Sequence, residues 1–185
     1  MKKYIASLAV WLLPMVLVSA APPREREGGG GPQYAVAVVH PTAQGKAQGV
    51  IWFTQRGDHV EINGEITGLT PGLHAFHVHE FGDCHSPDAM STGPHFNPTG
   101  MPHGGPDHEK RHVGDLGNIR ADESGKAVID IKDTLVQLHG PHSIIGRAII
   151  VHADPDDLKS QPAGNAGARI GCGIVGIAKP KESGK

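Results

Sequence analysis

The run His74-Ala-Phe-His77-Val-His79-Glu80-Phe81-Gly82-Asp83-Cys84 limits what this chain can become more than any other stretch. Successive side chains of an extended strand point to opposite faces, so His77 and His79 share one face while Phe76 and Val78 share the other. That pattern predicts a half-buried β-strand carrying a metal-binding pair. His95 follows sixteen residues after His79, inside Gly93-Pro94-His95-Phe96-Asn97-Pro98, and His103, His112 and Asp115 come after it at spacings of eight, nine and three. Four such ligands suit a closed tetrahedral zinc site. A further histidine, His152, ends the apolar run Ala148-Ile149-Ile150-Val151. The chain has 13 histidines; His40, His59, His85, His108, His139 and His142 are read as ordinary surface or hydrogen-bonded residues.

Around this centre the sequence alternates short β-rich runs with turn signals, at 34–39, 50–55, 59–67, 73–78, 118–121, 127–132, 148–152 and 173–178. Eight short strands with almost no helical periodicity predict an all-β sandwich or barrel. Arg56-Gly57-Asp58 and Asp122-Glu-Ser-Gly125 read as hairpin turns. Two stretches, 80–117 and 153–170, are too long for ordinary hairpin connections, and long loops on a rigid scaffold usually carry function. Both are expected to fold back over the face that bears His77 and His79.

The first 20 residues carry Lys2 and Lys3, an apolar stretch and then Val18-Ser19-Ala20, the pattern of a secretory signal peptide cleaved near Ala20. The apolar stretch is short for a membrane span, and none is expected in the mature chain. Removing two lysines takes the formal charge from -2 to -4, since 17 Lys+Arg become 15 against 19 Asp+Glu; nothing in that balance points to nucleic acid. Residues 21–33 read as a flexible Gly/Pro-rich linker, 34–179 as one domain and 180–185 as a C-terminal tail. Cys84 and Cys172 are the only cysteines, and in a secreted chain an intramolecular disulfide is the default.

Gly72-Leu-His-Ala-Phe-His77-Val-His79-Glu-Phe-Gly-Asp83, Gly93-Pro-His95-Phe-Asn-Pro98, His103-Gly-Gly-Pro106, Arg111-His112-Val-Gly-Asp115-Leu-Gly-Asn118 and Gly164-Asn-Ala-Gly-Ala-Arg169-Ile-Gly-Cys172-Gly resemble the copper/zinc superoxide dismutase family. The resemblance runs over about 34–178. It implies an eight-stranded antiparallel Greek-key barrel or sandwich of immunoglobulin-like type, with two long functional loops. It also implies dismutation of two superoxide anions and two protons to dioxygen and hydrogen peroxide, by alternate reduction and reoxidation of a histidine-bound copper. Copper is then expected on His77, His79, His95 and His152, and a structural zinc on His95, His103, His112 and Asp115, with His95 shared. Arg169 matches the family's anion-docking arginine, and His95 is expected to carry a proton. Asp156 corresponds to a carboxylate linking a copper histidine to a zinc histidine, although Asp154 and Asp157 lie beside it. His74 corresponds to a histidine with a packing and hydrogen-bonding role.

Three features depart from the animal pattern or leave it open. Cys84 comes earlier in its loop than in animal and plant members, which, with the leader, resembles the bacterial periplasmic type. Only Lys159-Ser-Gln-Pro-Ala163 separates Leu158 from Gly164, so substrate guidance is expected to rest on Arg169, on Lys159 or on residues the sequence does not identify. Phe81-Gly82, Ile145-Gly146-Arg147 and Ile177 resemble residues that pair subunits in the animal enzymes, so a homodimer is one expectation; bacterial relatives use other surfaces or stay single. The alternatives to an enzyme are a copper chaperone and a non-catalytic periplasmic metal-binding module on the same fold.

Overall fold

In a computed structural model, residues 31–180 are described. The expected leader, 1–20, most of the linker and all of the tail but Pro180 lie outside them. The strands are β1 (Tyr34–Pro41), β2 (Gln48–Arg56), β3 (His59–Thr67), β4 (Gly72–His79), β5 (Asp115–Ala121), β6 (Ala127–Asp133), β7 (Ala148–His152) and β8 (Arg169–Ile177). Each expected strand is present, most of them longer by one to three residues. They close into a barrel in the order β1-β2-β3-β6-β5-β4-β7-β8, all pairs antiparallel. The non-consecutive neighbours β3/β6 and β4/β7 give the Greek-key connectivity.

Alternation explains which side chains fill the barrel. Ala35, Ala37 and Val39, Ile51 and Phe53, Val60, Ile62 and Ile66, Phe76 and Val78, and Ile149 and Val151 form one buried cluster. Each large aliphatic or aromatic side chain contributes about 1.5–3 kcal/mol of burial. β1, β2 and β3 alternate buried with more exposed positions, whereas β4 is buried from His74 onward and β7 throughout. The outward residues of β4 and β7 are buried because loops lie over them. Ala148 and Ile150 pack there against Ala89 and Cys172 in a second apolar cluster, with Cys84 beside it.

The loop boundaries differ from the sequence expectation. β5 already begins at Asp115 and β8 at Arg169, so these two site residues stand on strands rather than in loops. A third long connection, 134–147, carries no obvious sequence motif; it is the crossing from β6 to β7. Between β4 and β5 the register shifts from Ala75↔Asn118 to His77↔Asp115, a bulge that sets Asp115 opposite His77 in the ladder. β5 and β6, joined by the hairpin at Asp122–Gly125, share only the aligned pair Ala121↔Ala127. Cys84 and Cys172 are disulfide-bonded across 88 residues of sequence, tying the first long loop to β8.

Candidate metal centre and active site

The 80–114 loop is fastened to β4 by backbone hydrogen bonds. Glu80 N donates to Pro94 O at 2.9 Å, Phe96 N to Val78 O at 2.8 Å, and Val78 N to Gly114 O at 2.9 Å. His79 and His95 form an isolated bridge within this arrangement. Glycine at 114 lets the two backbones meet, since a Cβ there would lie 2.2 Å from Val78 O. A histidine sixteen residues away in sequence is thereby set beside the His77/His79 face.

Two four-residue donor groups result: His77, His79, His95 and His152, and His95, His103, His112 and Asp115. Each residue offers one atom, within 4.8 Å of the others, and every member is buried. His95 belongs to both groups. In the first group one nitrogen of each ring is engaged elsewhere or turned to the second group: His77 Nε2 contacts Asp156 Oδ2 at 2.9 Å, His79 Nδ1 donates to Gly93 O at 2.8 Å, and His152 Nδ1 lies 3.3 Å from Gly167 O. The other nitrogens face one another. His79 Nε2 and His152 Nε2 are 3.4 Å apart, and His77 Nδ1 and His95 Nε2 are buried with no hydrogen-bond partner. Buried nitrogens without partners are costly unless something accepts their lone pairs, and an all-imidazole set of this kind suits copper.

In the second group three Nδ1 atoms converge on one carboxylate oxygen. Asp115 Oδ1 lies 2.8 Å from His95, 3.0 Å from His103 and 3.1 Å from His112. The His103 contact is outside hydrogen-bond geometry, which leaves His103 Nδ1 without a partner. Asp115 Oδ2 accepts from Gly104 N and His112 N at 3.1 and 2.9 Å. Three nitrogens and one oxygen around a common point match a closed zinc site.

Asp156 joins the two groups, with Oδ2 on His77 Nε2 and Oδ1 on His103 Nε2, both at 2.9 Å. Asp154 and Asp157 do not share that position; Asp157 instead accepts from Lys159 N and Ser160 N. Burial alone would raise the Asp115 and Asp156 carboxyls, but hydrogen bonds from the histidines outweigh it and hold both far below the usual range. Burial opposes a charge on His103, yet the close Asp115 carboxylate and the hydrogen bond to Asp156 raise it to about 9. Burial lowers His95 to about 4 and pushes His79 and His152 well below 6.5, with neighbouring histidines adding to the effect. His74 Nδ1 and Nε2 lie 2.8 Å from the carbonyl oxygens of His152 and Thr70 respectively, and the ring so ties β4 to β7 beside the site.

His79, His95, His112, Arg147, Pro162 and Arg169 are among the residues lining one cavity of about 700 Å³. Arg169 is half-buried and its Nη1 donates to Ala89 O and Thr92 Oγ1, both at 2.8 Å. Lys159 is exposed and is not part of this lining. The second arginine of this lining is Arg147, whose motif in the sequence resembles only a subunit-pairing segment. It stacks 3.4 Å over Phe96 and donates to Glu80 O at 2.6 Å. Arg111 has a role that its motif does not announce. Its buried guanidinium pairs with Asp133 and donates to His112 O and Asp115 O at 3.2 and 3.0 Å, fixing the turn that carries two donors. No spacing signal marks it, because its partner lies on β6.

The profile of copper/zinc superoxide dismutases matches residues 47–175. An extracellular copper/zinc superoxide dismutase of Brugia pahangi is 53% identical over 153 residues, covering 78% of this chain and 76% of that protein. Because that relative is a nematode protein, the bacterial affinity expected from the position of Cys84 finds no support in it. A crystal structure of the clock protein EA4 superposes with a TM-score of 0.75 at 45% identity, covering 82% of this chain and 98% of that one. The profile match over most of the barrel and loops, and a relative of this identity, agree with the donor geometry: the chain belongs to the copper/zinc superoxide dismutase family.

Proposed function

We propose that this chain is a secreted superoxide dismutase, with copper held by His77, His79, His95 and His152 and zinc by His95, His103, His112 and Asp115. The observation that carries the reading is the sharing of His95 between an all-imidazole group and a His/Asp group, next to a cavity that also contains Arg169. Bound copper supplies one-electron exchange with two superoxide anions in turn. The chain's own residues do the rest. Arg169 docks the anion, His95 takes up and releases a proton at Nε2 toward the cavity, and Asp156 keeps the His77 and His103 rings oriented. The apolar loop packing and the Arg111 clamp keep the donors arranged before an ion arrives.

Secretion is supported by the leader pattern, by the disulfide and by the extracellular naming of the nematode relative. No helix among the described residues is long and apolar enough to cross a membrane. Homodimer formation is supported by exposed Val38, Phe81, Ile174 and Ile177, at 48, 53, 47 and 68% exposure. Analytical ultracentrifugation at micromolar concentration should give twice the monomer mass, and a Phe81→Glu, Ile174→Glu variant should give the monomer.

The central test is metal analysis with a superoxide-consumption assay. His152→Ala should lose copper and activity but keep zinc; Asp115→Ala should chiefly lose zinc. Full copper binding without superoxide consumption would favour a chaperone, and equal loss of both metals in both variants would overturn the assignment.

A further inference from the structure

Arg169 is held by one short segment. Its Nη1 donates to Ala89 O and to Thr92 Oγ1 at 2.8 Å each, and the Thr92 hydroxyl donates to Ala89 O at 2.8 Å, so the three atoms form a closed triangle. Thr92 is fully buried and ends the 3-10 turn Met90–Thr92. Ala89, flanking that turn, has a left-handed φ of 56, a conformation alanine seldom adopts. Such backbone outliers persist where the surroundings demand them, often at functional sites. Here the outlier lies in the turn whose carbonyl meets the guanidinium.

The same segment orients a metal-group ring, because Gly93, next to Thr92, accepts from His79 Nδ1 at 2.8 Å. One rigid stretch therefore sets both His79 and Arg169, and the separation between them is fixed by it. A hydroxyl needed only to cap the turn would be satisfied by donating to Ala89 O; accepting from Arg169 as well uses its remaining capacity. Among the described residues, both hydrogen bonds of the guanidinium run through Nη1, which leaves Nη2 and Nε for an anion.

We propose that Thr92 is a positioning residue for the substrate: its hydroxyl, together with the Ala89 carbonyl, fixes the Arg169 guanidinium so that its free edge meets superoxide beside His79 and His95. The inference rests on Arg169 being the docking cation of the proposed reaction. Arg169 pivoting about a single contact would offer the same charge in many orientations, and the second contact removes that freedom.

The test uses the copper- and zinc-loaded protein with azide, a linear anion whose binding to copper(II) is read from the charge-transfer absorption it produces. Thr92→Val should keep both metals, bind azide about three- to tenfold more weakly and consume superoxide slower by a similar factor, the size expected for losing one ordinary hydrogen bond that acts on the anion through the arginine. Thr92→Ser should restore both within about twofold. In an Arg169→Ala background, Thr92→Val should change azide affinity no further, since the two act as one unit. Unchanged azide affinity in Thr92→Val, failure of serine to rescue, or a full additional loss in the Arg169→Ala background would each overturn the proposal. If Thr92→Val does not load copper, Thr92→Ala and the Arg169→Ala, Thr92→Ala pair supply the same cycle. Absence of superoxide consumption by the unmodified protein, with normal azide differences, would instead overturn the proposed reaction and leave the positioning intact.

Discussion

Arg169 meets an opposing charge as well as its hydrogen-bond partners, because the carboxylate of Asp88 lies close enough to interact with it. Two unit charges about 4 Å apart are worth roughly 4 kcal/mol at an effective dielectric near 20, so one guanidinium beside the cavity outweighs distant acids screened beyond about 8–10 Å. Arg169→Lys should keep much of the rate, Arg169→Ile should lose about one to two orders of magnitude and Arg169→Glu more, with copper retained. Full activity in Arg169→Glu at low salt, by pulse radiolysis, would mean another cation does the docking, with Arg147 the first to examine. The histidines give a second prediction at this scale, for the metal-free protein. His95 falls to about 4, and His79 and His152 lie well below 6.5. The unfolded chain then binds more protons between about pH 6.5 and 4, so stability is lost as pH falls through that window, on the order of 3 kcal/mol for His95 alone. His103, raised to about 9, works in the opposite sense: its contribution is intact below about 6.5 and is lost as pH rises toward 9. Melting of chelator-stripped protein should therefore peak near neutrality, and a flat profile on the acid side would count against the buried neutral histidines.

The loop 153–168 passes close against the metal centre at Gly164. Gly164 has a φ of 66, and a Cβ there would lie 1.8 Å from Asp156 Oδ1 and 2.8 Å from His103 Nε2. Gly164→Ala combines a left-handed backbone with a clash against the carboxylate that joins the donor groups, and should cost about 2–4 kcal/mol. Zinc retention under competition with a chelator should fall along with the melting temperature; unchanged zinc affinity would show that the loop yields without moving Asp156. The strands and the His77/His79 pair were legible in the sequence because they obey short-range rules, and the remaining donors because their motifs resemble those of a known family. Alternation assigned Phe76 and Val78 to one face and His77 and His79 to the other, and the barrel buries Phe76 and Val78 in its interior cluster. Arg111, Thr92 and Arg147 obey no such rule. Each is defined by a partner on another element, Asp133, Arg169 and Phe96 respectively, and nothing local foretells those meetings. The start of β5 at Asp115 was misjudged for a related reason: the bulge opposite Phe76 shifts the register, which the residues on either side do not reveal.

At the scale of the whole molecule, the Cys84–Cys172 bond closes a span of 88 residues. The chain-entropy treatment gives about 4–5 kcal/mol as an upper figure for such a loop. A Cys84→Ser, Cys172→Ser protein should melt lower and release metal faster to a chelator, and equal melting temperatures would remove the bond from the account of stability. The narrow seam between β5 and β6 has a different consequence. Read around the ring from that seam, the strands run β5-β4-β7-β8 and then β1-β2-β3-β6. The strand-borne members of the site, Asp115, His77, His79, His152 and Arg169, all stand on the first four. Such units open with their own free energies, visible as the rates at which backbone amides exchange with deuterium. Stripping the metals should accelerate exchange on β4, β5 and β7 far more than on β2 and β3, so the barrel would carry two clocks, and ligation would set only one of them.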